Sequence, residues 1–372
     1  MSTATPPPEG GFDRHGHVFG SGEPFCVGVE EELLLVDRDT LGLAHVADRL
    51  LPRIELGRER VDHEAFLAEL EVRSEPHASA ADAVADLAEG RQAIVAAGGS
   101  PLGAGLHPDA RFGDVRLVDS ERYRRVEAEM RGLIKRTPEC ALHVHVAMPS
   151  PEDAVSGLMA WRELLPLLGA LAASSPFWFG MDSGLASARS AVVRAYPGRG
   201  IPPPLRGWED YLETLDGIAA GGGPEDHTMV WWDARLQPRL GTIELRELDV
   251  QADLGRTEAL VALARAVARR AAESPPRELA HPHALAWSSF RAVRDGLDAE
   301  IFHSGRLMPA REALGELVAE LRGEVDALED VQRILLEDAP AAQRATYADG
   351  GMSALLRSLA LTTAAAPRSR GD

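Results

Sequence analysis

Four short segments constrain this chain more than anything else in it, because each alternates apolar and ionisable residues at a period of two. They are VGVEEELLLVD (27–37), AELEVRS (68–74), CALHVHVAM (140–148) and GTIELREL (241–248). A period of two is that of a β-strand, whose successive side chains point to opposite faces. Strands are therefore predicted over 26–36, 67–73, 140–147 and 241–249. In the first, Glu30 and Glu32 share a face while Val29, Glu31, Leu33 and Leu35 take the other. In the second, Glu69, Glu71 and Arg73 oppose Leu70 and Val72. In the third, His143 and His145 oppose Leu142, Val144 and Val146. In the fourth, Thr242, Glu244 and Arg246 oppose Ile243, Leu245 and Glu247.

Joined in one sheet, these strands would present an apolar face for helices and a polar face crowded with carboxylates, two histidines and two arginines. Carboxylates packed this closely repel one another and take up protons unless a cation neutralises them. Oxygen-rich sites with one or two imidazoles suit Mg²⁺ or Mn²⁺. Two other readings stay open at this point. A face bathed in water would also tolerate the alternation, and a His-x-His pair with a carboxylate occurs in zinc hydrolases. Glu31, on the apolar face, is expected to lie outside any metal site, so that its amide substitution would be mild.

The remaining chain is helical between the strands. Helices are predicted over 80–97 with Ser79 as N-cap, 121–135 behind Ser120, 152–173, 256–273, 282–299 and 310–336. The class is α+β or α/β. Residues 1–24 and 363–372 are rich in Pro, Gly and charge and are expected to be disordered tails. They flank a single domain over 25–362. The segment 186–207 carries Arg189, Arg194 and Arg199 among Pro and Gly, as a long ordered loop or a lid would. A formal net charge of −19 over 372 residues repels phosphate backbones, so nucleic acid is not an expected partner. Lys135 is the only lysine, which leaves phosphate binding to Arg, backbone N–H groups or a metal. Cys26 and Cys140 are expected as free thiols. No apolar run approaches the roughly 18 residues of a membrane span and no signal-peptide pattern opens the chain, so a cytoplasmic location is expected. A homo-oligomer is left open.

Eight segments in order resemble the type 2 glutamate–cysteine ligases, a family of carboxylate–amine ligases. They are VGVEEELLLVD, GLHPDARF (105–112), RYRRV (122–126), CALHVHV (140–146), LAASSPFWFGMDSGLASAR (171–189), WWDAR (231–235), GTIELRELD (241–249) and FRAVRDGLDAEI (290–301). Ala141 departs from the glycine usual in the family. The resemblance implies a glutamine synthetase-like fold, in which a curved, mostly antiparallel sheet forms a funnel with helices on its outer face. It implies ATP with Mg²⁺ or Mn²⁺, and small-molecule substrates, an acid and an amine. By the same resemblance the metal ligands fall on Glu30, Glu32, Glu71, Glu244 and His143, with Glu64 held more loosely. Phosphate contacts fall on Arg246, Arg235 and Arg73, and Trp231 and Trp232 are candidates for stacking on adenine. His107 is expected to hold a turn, and Arg294 matches a family motif.

Overall fold

The computed structural model describes residues 16–224, 226–276, 278–324 and 328–365. Its strands are β1 (Val27–Leu35), β2 (Val61–His63), β3 (Glu69–Arg73), β4 (Pro101–Leu102), β5 (Ala141–Ala147), β6 (Phe177–Trp178), β7 (Met181–Asp182), β8 (Ala234–Gln237), β9 (Thr242–Asp249), β10 (Glu300–His303) and β11 (Arg306–Pro309). Its helices are α1 (Ala47–Leu50), α2 (Ala80–Ala96), α3 (Glu121–Met130), α4 (Pro151–Ala172), α5 (Ala188–Val193), α6 (Trp208–Ala220), α7 (Leu254–Glu273), α8 (Pro282–Asp295), α9 (Ala310–Glu320), α10 (Leu328–Leu335) and α11 (Ala339–Ala364).

All four predicted strands form, and they lie side by side. The sheet runs β2-β3-β1-β5-β9-β8, with β4 also paired to β1, and every pairing is antiparallel. The register sets Glu30 opposite Arg73 on one side and His143 on the other. Glu32 faces Glu71, and His145 faces Glu244. The apolar face, with Val27, Val29, Leu33, Leu142, Val144, Ile243 and Leu245, is buried against α2, α4 and α7. Each such side chain contributes about 1.5–3 kcal/mol on leaving water. At Gly90 a Cβ would sit 2.2 Å from Val72 Cγ1, so only glycine lets α2 lie this close to β3.

Ser79 and Ser120 cap α2 and α3 as predicted, accepting the N–H of Asp82 and Tyr123. Helix α4 corrects the expectation that no segment is long and apolar enough to cross a membrane. It has that length and composition, and 83% of the apolar window is buried inside the fold. It is the core helix, tied to α7 by the Trp161 indole N–H on the Ala264 carbonyl at 3.0 Å.

Four other expectations need correction. The helix predicted over 310–336 is two helices, and that over 282–299 ends at Gly296, whose φ of 57° suits glycine. Helices α6 and α11 were not anticipated; α11 is broken at Gly351 (φ 72°), inside a Gly–Gly pair that hides its periodicity. Residues 16–24 are not a loose tail, since Phe19 is buried in the core with its ring edge-on to Trp208 at 5.8 Å. Val18 and Gly20 donate backbone hydrogen bonds to Pro238 and Met148. Thr363 likewise belongs to the fold, its hydroxyl accepting the Gly103 N–H at 2.8 Å. Residues 1–15 and 366–372 of the two expected tails lie outside the described residues.

Glu31 faces the helix layer as the alternation required, but its environment is the opposite of permissive. It is fully buried and gripped by both arms of Arg91 at 2.6 and 2.7 Å. Arg91 also donates to the Ala252 and Gln251 carbonyls, so one guanidinium joins β1, α2 and the start of α7. Removing one member of a buried ion pair strands the other. Glu31→Gln should therefore cost about 3–5 kcal/mol of stability. Urea unfolding followed by circular dichroism measures it, and a loss below 1 kcal/mol, roughly a surface substitution's effect, would refute the anchoring role.

Candidate active site

The polar face of β3-β1-β5 gathers Glu30, Glu71 and His143, each offering one ligand atom within 4.8 Å of the other two. Burial works against the Glu30 carboxylate, yet a hydrogen bond with His143 and the nearby His145 hold it well below its ordinary range. Its oxygen lies 3.4 Å from His143 Nδ1 and 3.8 Å from His145 Nε2. Glu71 goes the other way: burial, then the Glu30 charge, raises it well above its ordinary range despite an ion pair with Arg73. Burial and the Arg246 charge bring His143 down to about 3, leaving a neutral imidazole across the physiological range. Two carboxylates, one of them short of positive charge, and a neutral imidazole fit a hard divalent cation such as Mg²⁺ or Mn²⁺.

Beside this cluster Glu244 is held differently. Arg235 grips it with Nε at 2.6 Å and Nη2 at 3.2 Å, Gln237 donates at 2.5 Å, and Arg246 pairs with it as well. Burial is overcome by these cations, and Glu244 stays ionised far below its ordinary range. The structure thus does not bring Glu244 into the Glu30–Glu71–His143 group. Arg235, expected at a phosphate, uses its remaining arm on the Thr228 carbonyl at 2.6 Å, and its place is to fix Glu244. A register shift in the β5–β9 pairing sets two residues of β9, Arg246 and Glu247, against His143. It reverses the alternation beyond that point. Leu248 turns into the core, and Asp249 turns to the Ser174 N–H and the Ser175 and Ser187 hydroxyls. Simple period-two counting places Leu248 on the wrong face.

A cavity of about 170 Å³ opens from Glu32, His143 and Arg246. Its walls carry Glu64, Glu69 and Glu139, together with Arg122, Arg189 and Arg199, under an apolar roof from 123–134. Segment 186–207 is built into this wall. Arg189 donates to the Glu247 and Arg246 carbonyls at 3.0 and 3.2 Å, and Arg199 lies 3.4 Å from Asp233. Nε of Arg189 and of Arg246 is buried with no hydrogen-bond partner. Burial, with repulsion from Arg189 and Arg246, lowers Arg199 to about 10 despite Asp233. Three guanidinium groups this crowded make a place for an anion.

Other expected site residues separate. Glu64 lines the cavity, raised to about 7 by burial and the Glu32 charge. Arg73 sits at the cluster's edge, paired with Glu71 and 4.0 Å from Glu30. Trp232 is a correction: it packs in the main core, and its neighbour Trp231 lines the cavity, because adjacent side chains of an extended backbone point opposite ways. Arg294 is exposed and forked onto Asp295. His107 holds its turn, accepting the Ala110 N–H at 3.0 Å with the Leu41 carbonyl at 2.9 Å from its other nitrogen. Glu139, Arg122 and Tyr196 were missed; they lie on loops or a helix outside the strand motifs, where no periodicity marks them.

The fold places the chain in a structural class. A glutamate–cysteine ligase from Francisella tularensis, solved in complex with AMP, superposes with a TM-score of 0.67 over 92% of this chain and 89% of that one, at 14% identity. A bifunctional glutathione synthetase from Pasteurella multocida gives 0.64 over 92% of this chain and 52% of that one, also at 14% identity. The architecture is α+β, with a mostly antiparallel sheet, in the fold of these ligases. Sequence likeness narrows it further. A protein provisionally named glutamate–cysteine ligase 2-3 from Rubrobacter xylanophilus is 37% identical over 311 residues, 82% of this chain and 85% of its own. A relative from Frankia alni with the provisional name glutamate–cysteine ligase 2-1 is 33% identical over 331 residues, 85% of this chain and 87% of its own. The model of glutamate–cysteine ligase family 2 matches residues 26–356. The chain belongs to that family and is an enzyme, a ligase of the glutamate–cysteine ligase type.

The raised carboxyls set a pH dependence. Glu64 and Glu139 stand at about 7, against 4.5 in an unfolded chain. Between those values the folded protein holds protons that the unfolded chain releases, so stability falls as pH rises through this window. Metal-free protein should melt several degrees lower at pH 8 than at pH 6, roughly the two sides of this upper edge. Mn²⁺ should raise the melting temperature more at pH 8, where fewer protons compete for the carboxylates. Melting curves with EDTA or Mn²⁺ test this, and a Mn²⁺ effect that is absent or larger at pH 6 would contradict it.

Proposed function

We propose that the enzyme is an ATP-dependent carboxylate–amine ligase with L-glutamate as the acid, activated at its γ-carboxylate, and L-cysteine as the family's reference amine. The observation that carries this reading is the junction of two features. A ligand group of Glu30, Glu71 and His143 adjoins a cavity where Arg246, Arg189 and Arg199 crowd together. Family membership and the fold shared with an AMP-bound ligase support ATP as the phosphoryl donor.

The reaction has two steps. A carboxylate oxygen of the acid attacks the γ-phosphorus of ATP, the bond to the β-phosphate oxygen breaks, and ADP leaves. The amine then attacks the acyl carbon, phosphate departs with the C–O electron pair, and the nitrogen loses a proton. Glu30, Glu71 and His143 would hold Mg²⁺ or Mn²⁺, with Glu32, Glu64 and Glu244 as the neighbouring carboxylates. When bound, such an ion neutralises phosphate oxygens and draws charge from the transferring phosphorus. The protein's own part is positioning and charge. Arg246 lines the cavity together with His143, its Nε unpartnered, and would steady charge that develops on the phosphoryl oxygens. Arg235 acts through Glu244 as a positioning residue. Arg189 and Arg199 suit a substrate carboxylate. The apolar roof keeps water from an acyl phosphate. The second reading keeps this chemistry and changes the amine.

Arg246→Lys keeps the charge and loses the planar fork. Turnover should fall by roughly 10²–10³-fold, the scale for losing one preorganised donor, while the KM for ATP changes little. ADP release with glutamate, cysteine and Mg²⁺ reads both constants. A folded variant with wild-type kcat would remove Arg246 from the reaction, and wild-type protein releasing no ADP with any acid–amine pair would sink the ligase reading.

A further inference from the structure

The cavity wall carries two features that charge neutralisation at phosphate does not require. One is a floor of buried acid. Glu69 is fully buried, accepts the Cys140 thiol on one oxygen at 3.3 Å, and leaves Oε2 without a hydrogen-bond partner. Glu139, the sequence neighbour of Cys140, accepts the Tyr196 hydroxyl on one oxygen. Both carboxyls line the cavity, and neither is among the carboxylates assigned to a metal. The other feature is the roof. Phe66, Met130 and Ile134 form a small apolar cluster separate from the main core, with Val126, Leu133, Tyr196 and Trp231 packed on it. Helix α3, which supplies Met130 and Val126, buries only Met130 among its ten residues. It covers the cavity and little else.

A buried carboxyl oxygen with no partner is costly, and a hydrogen-bonding group entering beside it relieves that cost. An apolar lining that belongs to a cavity wants apolar surface from whatever enters it. One molecule satisfies both: a primary amine, entering as an ammonium ion, with an apolar or aromatic side chain. The thiol of cysteine would leave most of this lining unfilled, since the cavity has room on the order of ten waters.

We propose that the amine substrate carries an apolar or aromatic side chain larger than that of cysteine, its nitrogen received by Glu69 and Glu139 and its side chain enclosed by Phe66, Val126, Met130 and Ile134. This rests on the ligase reading above. Arg189, Arg199 and Arg246 line the same cavity, together with His143 of the ligand group.

The test is ADP release by the full-length enzyme with ATP, Mg²⁺ and L-glutamate, over L-cysteine, L-alanine, L-leucine, L-phenylalanine and phenethylamine. Leucine, phenylalanine or phenethylamine should exceed cysteine in kcat/KM by at least about tenfold, the scale that filling a hydrophobic pocket brings. Val126→Trp, at a half-buried position on α3, should raise the KM of the preferred amine by about the same factor and leave the KM for ATP unchanged. Glu139→Gln should also raise the amine KM without moving that for ATP. Cysteine as the best amine, or an amine KM indifferent to Val126→Trp, overturns the proposal and leaves the ligase reading standing. ADP release with none of these amines, nor with any other acid–amine pair, overturns both.

Discussion

The antiparallel register of β3-β1-β5-β9 is the constraint on which both the core and the site depend. Side chains alternate strictly along a strand, so one choice of register sends Val29, Leu33 and Val144 into the helix layer and Glu30, Glu71 and His143 to the other side. A slip of one residue would exchange the two sets, placing carboxylates among the leucines of α4 and α7. The free energy of burying the apolar face therefore also holds the ligand group in place. No separate interaction has to bring these carboxylates together against their mutual repulsion.

The three consecutive glutamates of β1 show how environment assigns roles to identical side chains. Glu31 is neutralised by Arg91 and serves the core. Glu30 is kept ionised by the two histidines of β5, and Glu32 accepts the Ala141 N–H at 2.6 Å at the cavity's edge. Elsewhere the charge pairing falls to arginine, in a chain with one lysine. Arg91 and Arg256 end on carbonyl groups within the fold, and Arg235 holds Glu244. Arg189, Arg199 and Arg246 line one cavity, beside Asp249, Asp233 and Glu244 respectively, and burial with the repulsion of its two neighbours lowers Arg199.

Family membership accounts for a ligase, and the half of the site around Glu30, Glu71 and His143 would suit phosphoryl transfer. The other half is less generic. Glu69, Glu139 and the roof of α3 surround space that charge neutralisation at phosphate does not need. Substrate choice depends on such walls, because one fold supports many pockets while the activation chemistry stays the same.

The alternation rule made β1, β3, β5 and β9 legible, with Glu30, Glu32, Glu71, His143, Glu244 and Arg246 on one polar face and Ser79 and Ser120 as helix caps. These are local properties: period, spacing and capping chemistry are complete within a few residues. The order of the strands, the bulge opposite His143 that sends Asp249 rather than Leu248 to the polar face, and the separation of Trp231 from Trp232 were decided by tertiary structure. So were the Glu31–Arg91 anchor, the enlistment of Phe19 in the core, and the meeting of Glu69, Glu139, Tyr196 and α3 around one cavity. Each joins groups far apart in sequence, and burial, register and charge pairing between distant segments leave no periodic mark on the chain. The sequence alone determined which residues share a strand face. Only the folded chain, where desolvation acts on all of them at once, decided which carboxylates are neutralised from within and which are left to meet a ligand.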